Sequence, residues 1–357
     1  MSNVLEKNDK YAFHPGYYIA EIIDDMEITQ AEFAQRMGTT PKTLSKLVNG
    51  EANISRDLAK KLSSMLGTSV ELWLNLQNTY DKKLIEIELE QEREEQKELL
   101  SSIDYNYFVK VADLPYERMA QDKLARLCNY LCVSDLRIMK EPDYLADLSS
   151  ISKCSDEKSI VNSAAWIQTA LNCVSSAKTE EYNATKLKAI LPFLRSMTIL
   201  EPDTLIARLK DLLASCGIIF LLLPPLKNSC VDVVVKWING DRCLLAMSDC
   251  GYDTDSFWNA FFIAISHVLK HKVTMTYVSN IDSSIDEDAE RFARDLTIPP
   301  SAYKKLLNNK TITDEDIIVF AESIGIHPGI VAGRLHRDGL LSGKRCSKMK
   351  EKYKFCA

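Results

Sequence analysis

The sequence predicts a mainly α-helical protein with a small β-sheet, an α+β fold. Three observations indicate this class. Short amphipathic runs bounded by helix caps fill the first 80 residues, and longer helical runs occupy residues 105–216. After Gly217 the hydrophobic pattern becomes that of strands, and helical spacing returns from Asp255. We therefore expect helices along most of the chain and a sheet confined to its C-terminal part.

The length of 357 residues exceeds that of one typical hydrophobic core, so several domains are expected. Hydrophobic residues make up 46% and charged residues 26%, close to globular averages. The predicted segments are a helical domain at 1–78, a charged helical linker at 79–104, a helical middle region at 105–216 and a C-terminal domain at 217–357.

The start of the chain is polar, and the longest apolar runs are far shorter than the roughly 20 residues that span a bilayer. We therefore expect no membrane span. With no secretory signal, the ten cysteines favour reduced thiols in the cytoplasm.

The acidic residues are concentrated in the linker. Between Thr79 and Ser101 there are eight acidic and four basic residues, whereas the whole chain has a net charge of -6. The net charge therefore does not exclude a nucleic-acid partner for another part of the chain. Because Glu90 to Glu98 is polar on every side, a solvated connecting helix is favoured over a coiled coil, although a contribution to dimerisation stays open.

Residues 17–77 predict five short helices with visible start signals. Thr29 is expected to cap the second helix, with Glu32 reaching back to its amide in a capping box. Thr40 caps the third helix, and Pro41 occupies its first position, where no N–H is needed. The side chains expected to face inward are Phe33, Ala34, Met37, Leu44, Leu47 and Val48.

The third helix has a polar face and ends at Asn49-Gly50, a left-handed stop signal. That face carries Lys42, Thr43, Ser45 and Lys46. Two helices joined by a short turn containing glycine, here Gly38, can place the second helix in the DNA major groove. Lysine and threonine also occur on ordinary solvated faces of small bundles, which is the alternative interpretation.

The segment ITQAEFAQRMGTTPKTLSKLVNGEANIS, with HPGYYIAEII before it and LGTSVELWLNLQ after it, resembles the XRE-type helix-turn-helix of HigA-type antitoxins. The resemblance covers roughly the first 80 residues. It implies that bases are read by Pro41, Lys42, Thr43 and Lys46, and that phosphates are contacted by Gln30, Ser45 and Asn49. It also implies operator DNA as a partner and a toxin protein as a further partner. Because one copy offers few cations and affinity for DNA comes largely from released counterions, we expect a homodimer on a two-fold site.

The C-terminal domain is predicted to begin with strands, IIFLLLP and VDVVVKWI, and a hairpin at Asn239-Gly240. A helix follows that carries His267-Val268-Leu269-Lys270-His271, two histidines with the spacing of a zinc-peptidase helix. This order resembles the ImmA/IrrE family of zinc metallopeptidase domains. In DEDAERFARDLTIPPSAY the resemblance implies Asp286 as the third metal ligand, beside His267 and His271, although the family uses glutamate there.

Valine at position 268 replaces the glutamate that would act as general base, so no catalytic residue is assigned. Two interpretations of this helix remain open: a degenerate site that binds a zinc ion, and an ordinary surface helix without metal.

Three functions follow as hypotheses. The favoured one is a DNA-binding regulator, a HigA-like antitoxin and autorepressor whose peptidase-like domain senses a signal or binds a partner. The others are an active zinc endopeptidase that cleaves a repressor or toxin, and a pure interaction protein.

Overall fold

A computed structural model of the chain describes residues 4–7, 10–141, 144, 156–177, 179–249, 251–270, 277–278, 286–309 and 312–353. The described residues are mostly helical, with a small mixed sheet, which confirms the predicted fold class. The chain divides into two compact units, 1–95 and 96–357.

The first unit begins with a hairpin that the sequence did not indicate, in which β1 pairs antiparallel with β2. Helices follow it, and their caps are the ones the sequence signals. The elements are β1 (Val4–Lys7), β2 (Lys10–Phe13), α1 (Pro15–Asp25), α2 (Gln30–Arg36), α3 (Pro41–Val48), α4 (Arg56–Leu66) and α5 (Val70–Ser102). The last helix runs without a break through the predicted boundary at 78/79 and enters the second unit.

The second unit contains the remaining helices and the larger sheet. Its first helices are α6 (Tyr105–Val111), α7 (Ala120–Tyr130), α8 (Glu157–Asn172), α9 (Ala184–Ser196) and α10 (Pro202–Ala214), with 3₁₀ turns at Leu136–Lys140, Cys173–Ser176 and Met197–Ile199. The strands are β3 (Ile218–Leu223), β4 (Val233–Ile238), β5 (Arg242–Ser248) and β6 (Tyr277–Val278). The later helices are α11 (Thr254–Lys270), α12 (Glu287–Thr297), α13 (Pro300–Leu307), α14 (Asp314–Ile324), α15 (Pro328–Arg337) and α16 (Gly343–Met349).

The strand order in the sheet is β3-β5-β4-β6. β4 and β5 form the predicted hairpin, and its turn residues Asn239 and Gly240 have φ values of 51° and 80°, as a tight turn requires. β3 pairs parallel to β5, with Ile218 opposite Cys243. The predicted strands and hairpin are confirmed, whereas the parallel pairing was not anticipated.

Each face of this sheet is covered by its own hydrophobic cluster. Alternate residues such as Phe220 and Leu245 pack on the cluster that includes α9 to α12. Their neighbours, such as Ile219 and Leu244, pack on the cluster that includes α6 to α8. Because strand side chains alternate between faces, one sheet joins helices from both halves of residues 96–357. The predicted boundary at 216/217 falls inside this unit.

Cys230, which lies before β4, is disulfide-bonded, whereas reduced thiols were expected from the sequence. A cytoplasmic location stays a prediction.

Across the part of the chain that the structure describes, no single helix has the length and apolar character to cross a membrane. Within the same residues, α14 and α15 taken together have the required length and apolar character, but the two helices are bent by 118° relative to each other.

Candidate nucleic-acid interface

Helices α2 and α3 form the predicted pair, and each starts at its expected cap. The Thr29 hydroxyl accepts a hydrogen bond from the Glu32 amide at 3.1 Å, and the Thr40 hydroxyl accepts one from the Thr43 amide at 3.1 Å. The proposed capping box at Thr29 is incomplete, so that detail of the prediction was wrong. The Glu32 carboxylate instead accepts a hydrogen bond from Arg36 at 2.5 Å, one helical turn further on.

The turn between the helices is held by a contact from α4. Gly38 has a φ of 67°, and its carbonyl accepts a hydrogen bond from the Lys61 ammonium at 3.1 Å. At the other end of α3, the Glu51 amide donates to the Lys46 carbonyl at 2.8 Å beside Gly50, whose φ is 72°. The predicted start and stop of α3 are therefore both confirmed.

The position of α3 against α1 depends on Gly16. A Cβ atom at this position would lie 2.0 Å from the Leu47 carbonyl oxygen, so the close approach of the two helices admits only glycine. The preceding His14 is buried, and its Nδ1 accepts a hydrogen bond from the Gly16 amide at 3.0 Å. These contacts orient the face of α3 that points away from α1.

The buried and exposed sides of α2 and α3 differ as predicted. All six side chains expected to face inward are buried, namely Phe33, Ala34, Met37, Leu44, Leu47 and Val48. The seven predicted DNA contacts are all exposed or half-buried: Gln30, Pro41, Lys42, Lys46 and Asn49 are exposed, while Thr43 and Ser45 are half-buried. The Asn49 amide donates to the Ser45 hydroxyl at 3.4 Å, so these two residues share one edge of the face.

Lys42 and Lys46 are the cations of this face. Among the described residues neither takes part in an ion pair, whereas neighbouring cations do: Arg36 with Glu32, and Lys61 with Asp57 at 3.0 Å. The exposed side of α3 is therefore positively charged, and its hydroxyl and amide groups can donate hydrogen bonds. This chemistry suits phosphate oxygens and the acceptor atoms of base edges.

The predicted metal helix in the second unit shows a different arrangement. In α11 the His267 Nδ1 lies 4.0 Å from the Asp286 Oδ2, but that oxygen also accepts a hydrogen bond from Lys270 at 2.5 Å. The other oxygen of Asp286 caps α12 through the Ala289 amide at 3.0 Å. The hydrogen bond from Lys270 is the main factor that lowers the pKa of Asp286, against the raising effect of burial. The described contacts are thus those of an ion pair and a helix cap.

The metal prediction itself stays a prediction. His271 lies outside the described residues, and no group of three or more metal-type side chains occurs within the described ranges. An ammonium group beside Asp286 would repel a divalent cation, so the contacts made by His267 and Asp286 do not fit a zinc site as they stand. Val268 is completely buried in the hydrophobic cluster.

Sequence reasoning missed the capping role of Asp286, although the signal was present. An aspartate directly before a run that begins Glu287-Asp288 is a typical N-cap, with acidic residues in the first turn. Its ion pair with Lys270 joins two helices that are distant in sequence, and no local pattern indicates that contact.

Comparisons with known proteins concern the first unit. The helix-turn-helix family HTH_3 matches residues 19–73. An uncharacterized HTH-type transcriptional regulator, YddM of Escherichia coli (strain K12), is 41% identical over 73 residues, which cover 20% of this chain and 78% of the relative. Antitoxin HigA-1 of Vibrio cholerae is 38% identical over 61 residues, covering 17% of this chain and 57% of the antitoxin.

One solved structure is also similar, a putative antidote protein of a plasmid maintenance system from Nostoc punctiforme. It is 37% identical, and the match covers 24% of this chain and 92% of that one, with a TM-score of 0.23. These similarities all lie within about a quarter of the chain.

Proposed function

The N-terminal domain of this chain belongs to the XRE-type helix-turn-helix family, and from this premise we propose that the chain is a sequence-specific transcriptional regulator of the HigA-like antitoxin type that represses its own promoter. The observation that carries the proposal is the polarity of α3. Its buried stripe packs on the domain core, while Lys42 and Lys46 lie on the exposed side outside any ion pair of the described residues.

In the proposed complex, α3 enters the major groove with its N-terminal turn toward the bases. Pro41, Lys42, Thr43 and Lys46 are the proposed base-reading residues. Gln30, Ser45 and Asn49 are proposed to hold the phosphates and set the register of the protein on the duplex. The Thr40 cap supports this orientation, because it leaves the first turn of α3 regular and its polar side chains exposed.

We propose that the protein binds as a homodimer. Only two lysines lie on the reading face of one protomer, and affinity for DNA rises with the number of phosphates that cations neutralise. Two exposed apolar side chains on α5, Ile85 and Leu89, lie one turn apart and offer a contact for a second copy.

Replacing both Ile85 and Leu89 by Ser should convert the dimer into a monomer, as measured by light scattering. A mass of two chains that persists in the variant would assign the dimer contact elsewhere.

Selection from a pool of random duplexes tests the DNA-binding proposal. The full chain should enrich a palindrome whose half-sites lie about 10 base pairs apart, or a multiple of that spacing. Enrichment of no sequence would contradict a sequence-specific regulator. Enrichment of a single half-site would contradict the dimer alone.

A toxin protein is the proposed protein partner, on the basis of the similarity to antitoxins. The test is co-expression with the product of an adjacent reading frame that arrests growth when expressed alone. Relief of the arrest by this chain would support an antitoxin. Continued arrest, with both proteins soluble and abundant, would leave a DNA-binding regulator without the antitoxin role.

For the second unit we propose a peptidase-like module that senses a signal or binds a partner and has lost hydrolytic activity. The buried Val268 supports this role, because a hydrocarbon cannot take a proton from a water molecule. The alternative is an active zinc endopeptidase. Metal content of protein purified without a histidine tag separates the two: about one zinc per chain, lost in His267→Ala, would support a retained site. Cleavage of a partner protein that also disappears in His267→Ala would establish the alternative.

A further inference from the structure

A basic cleft in the second unit is not accounted for by any function proposed above. Its volume is about 900 Å³, and it lies between the end of α5, the starts of α6, α7 and α8, and the loop before β4. Five of its lining residues are cationic and one is acidic, Asp104. The cations are Lys97, Arg118, Lys123, Lys158 and Lys227.

This concentration of positive charge contrasts with the net charge of -6 for the whole chain. Two acidic residues next to the cleft in sequence pair with cations outside its lining. Glu117 pairs with Arg126 at 3.3 Å, and Glu157 pairs with Lys140 at 2.9 Å. Asp104 caps α6 by accepting a hydrogen bond from the Asn106 amide at 3.1 Å. The positive charge of the cleft is therefore not neutralised by these neighbours.

Most of the cations are available to a ligand. Across the described residues, no ion pair involves Arg118, Lys158 or Lys227, and all three side chains are exposed. Lys123 lies 5.7 Å from the centroid of the Tyr105 ring, a cation–π contact that places its ammonium group without removing its charge.

The cleft is also held by hydrogen bonds between the separate segments that line it. The Ser102 carbonyl accepts from the side-chain amides of Asn162 at 3.3 Å and Asn228 at 3.2 Å. The Tyr105 hydroxyl donates to the Pro115 carbonyl at 2.9 Å. A cleft that is organised before binding loses less entropy when a ligand enters.

We propose that this cleft binds a small molecule with two or more clustered phosphate groups. Several cations around one cavity match several adjacent oxyanions, whereas a single phosphate or carboxylate would leave most of them unpaired. The volume lies in the range of small-molecule sites, and the concave shape suits a compact ligand better than a duplex. The phosphates could belong to a nucleoside polyphosphate or to an inorganic oligophosphate. The proposal goes beyond the DNA-binding function and does not depend on it.

Titration calorimetry of the full chain at about 0.15 M salt tests the cleft, with ATP, pyrophosphate and orthophosphate as probes. ATP or pyrophosphate should bind saturably, and more tightly than orthophosphate. Comparable affinities for ATP and pyrophosphate would assign recognition to the phosphates alone. Binding of ATP only would assign it to a nucleotide.

Variants then localise the site. Lys158→Ala with Lys227→Ala should weaken binding about tenfold or more, because two charge-assisted contacts are removed. Lys188→Ala with Lys210→Ala is the matched control, since it removes the same charge from exposed positions outside the cleft lining, and it should leave affinity unchanged. The proposal is overturned if neither ATP nor pyrophosphate binds, or if both double variants lose affinity equally. It is also overturned if the Lys158 and Lys227 changes weaken binding to random duplex DNA instead.

Discussion

At the scale of single residues, Gly333 shows how closely one buried carboxylate is enclosed. Asp255 is 2% exposed and accepts hydrogen bonds from the two terminal nitrogens of Arg337, at 2.6 and 3.0 Å, while the Lys350 ammonium lies 3.0 Å from its Oδ2. A Cβ atom on Gly333 would lie 2.0–2.5 Å from the atoms of that carboxylate. The helix α15 can therefore pass the ion cluster only because position 333 has no side chain.

We predict that Gly333→Ala lowers the free energy of unfolding by about 2–4 kcal/mol, because overpacking is added to a disturbed buried ion pair. Urea denaturation measures the change. Gly343→Ala is the control, since its Cβ would meet only the His336 ring, at 3.6 Å. Equal stability of the two variants would contradict the enclosed geometry of Asp255.

Two histidines cap helices in the same way, in two His-Pro-Gly sequences. The Nδ1 atoms of His14 and His327 accept hydrogen bonds from the amides of Gly16 and Gly329, both at 3.0 Å. Burial lowers the pKa of both histidines, against the opposing charges of Asp81 near His14 and of Glu351 and Glu201 near His327. The neutral imidazole is also the form whose Nδ1 can accept a hydrogen bond from the amide N–H.

The lowered pKa values of these two histidines set the direction in which folding stability changes with pH. An unfolded histidine takes up its proton near pH 6.5, and these folded ones take it up at lower pH. The folded state therefore binds fewer protons in that window, and stability is lost as the pH falls below about 6.5. The variant His14→Asn with His327→Asn keeps capping groups that do not titrate. We expect a flatter stability profile between about pH 7.5 and 5.5 for this variant. An unchanged slope would assign the pH dependence to other groups.

At the scale of elements, the start of α3 depends on one hydroxyl. Thr40 accepts from the Thr43 amide and also lies 2.9 Å from the Thr43 hydroxyl. We predict that Thr40→Ala destabilises the first unit by about 1 kcal/mol, whereas Thr40→Ser retains the cap. Amide hydrogen exchange within α3 reports the difference. Equal protection in the two variants would show that the cap contributes little to this helix.

Local elements were predictable because their signals are local. Thr40, Pro41 and the Asn49-Gly50 stop mark α3, and Asn239-Gly240 marks the hairpin. Contacts between distant segments were not. The parallel pairing of β3 with β5 gives no sequence pattern of its own, and neither does the ion pair between Lys270 and Asp286.

The same distinction applies to the two sites. The seven predicted DNA contacts lie on two neighbouring helices, Gln30 at the start of α2 and the others along α3 and its C-cap, so a local motif that resembles a known family was enough to name them. The basic cleft is formed by residues between Lys97 and Asn228 on separate elements, and no motif links them. A site made by tertiary folding becomes visible only when the elements are placed.

At the scale of the whole molecule, charge is distributed unevenly along the chain. The acidic residues of α5 dominate the net charge of -6, while cations lie on the exposed face of α3 and in the basic cleft. Net charge alone would argue against a nucleic-acid partner. The distribution instead supports a DNA-binding first unit and an anion-binding second unit in one chain.

The affinity of the intact chain for its selected operator tests the central claim most directly, measured by fluorescence anisotropy at several salt concentrations. Lys42→Ala with Lys46→Ala should weaken binding about tenfold or more and lower the salt slope by about one unit for each phosphate that the variant no longer neutralises. Lys188→Ala with Lys210→Ala removes the same charge from exposed positions of the second unit and should bind like the unchanged protein. Equal affinities for the two double variants would contradict DNA reading by α3.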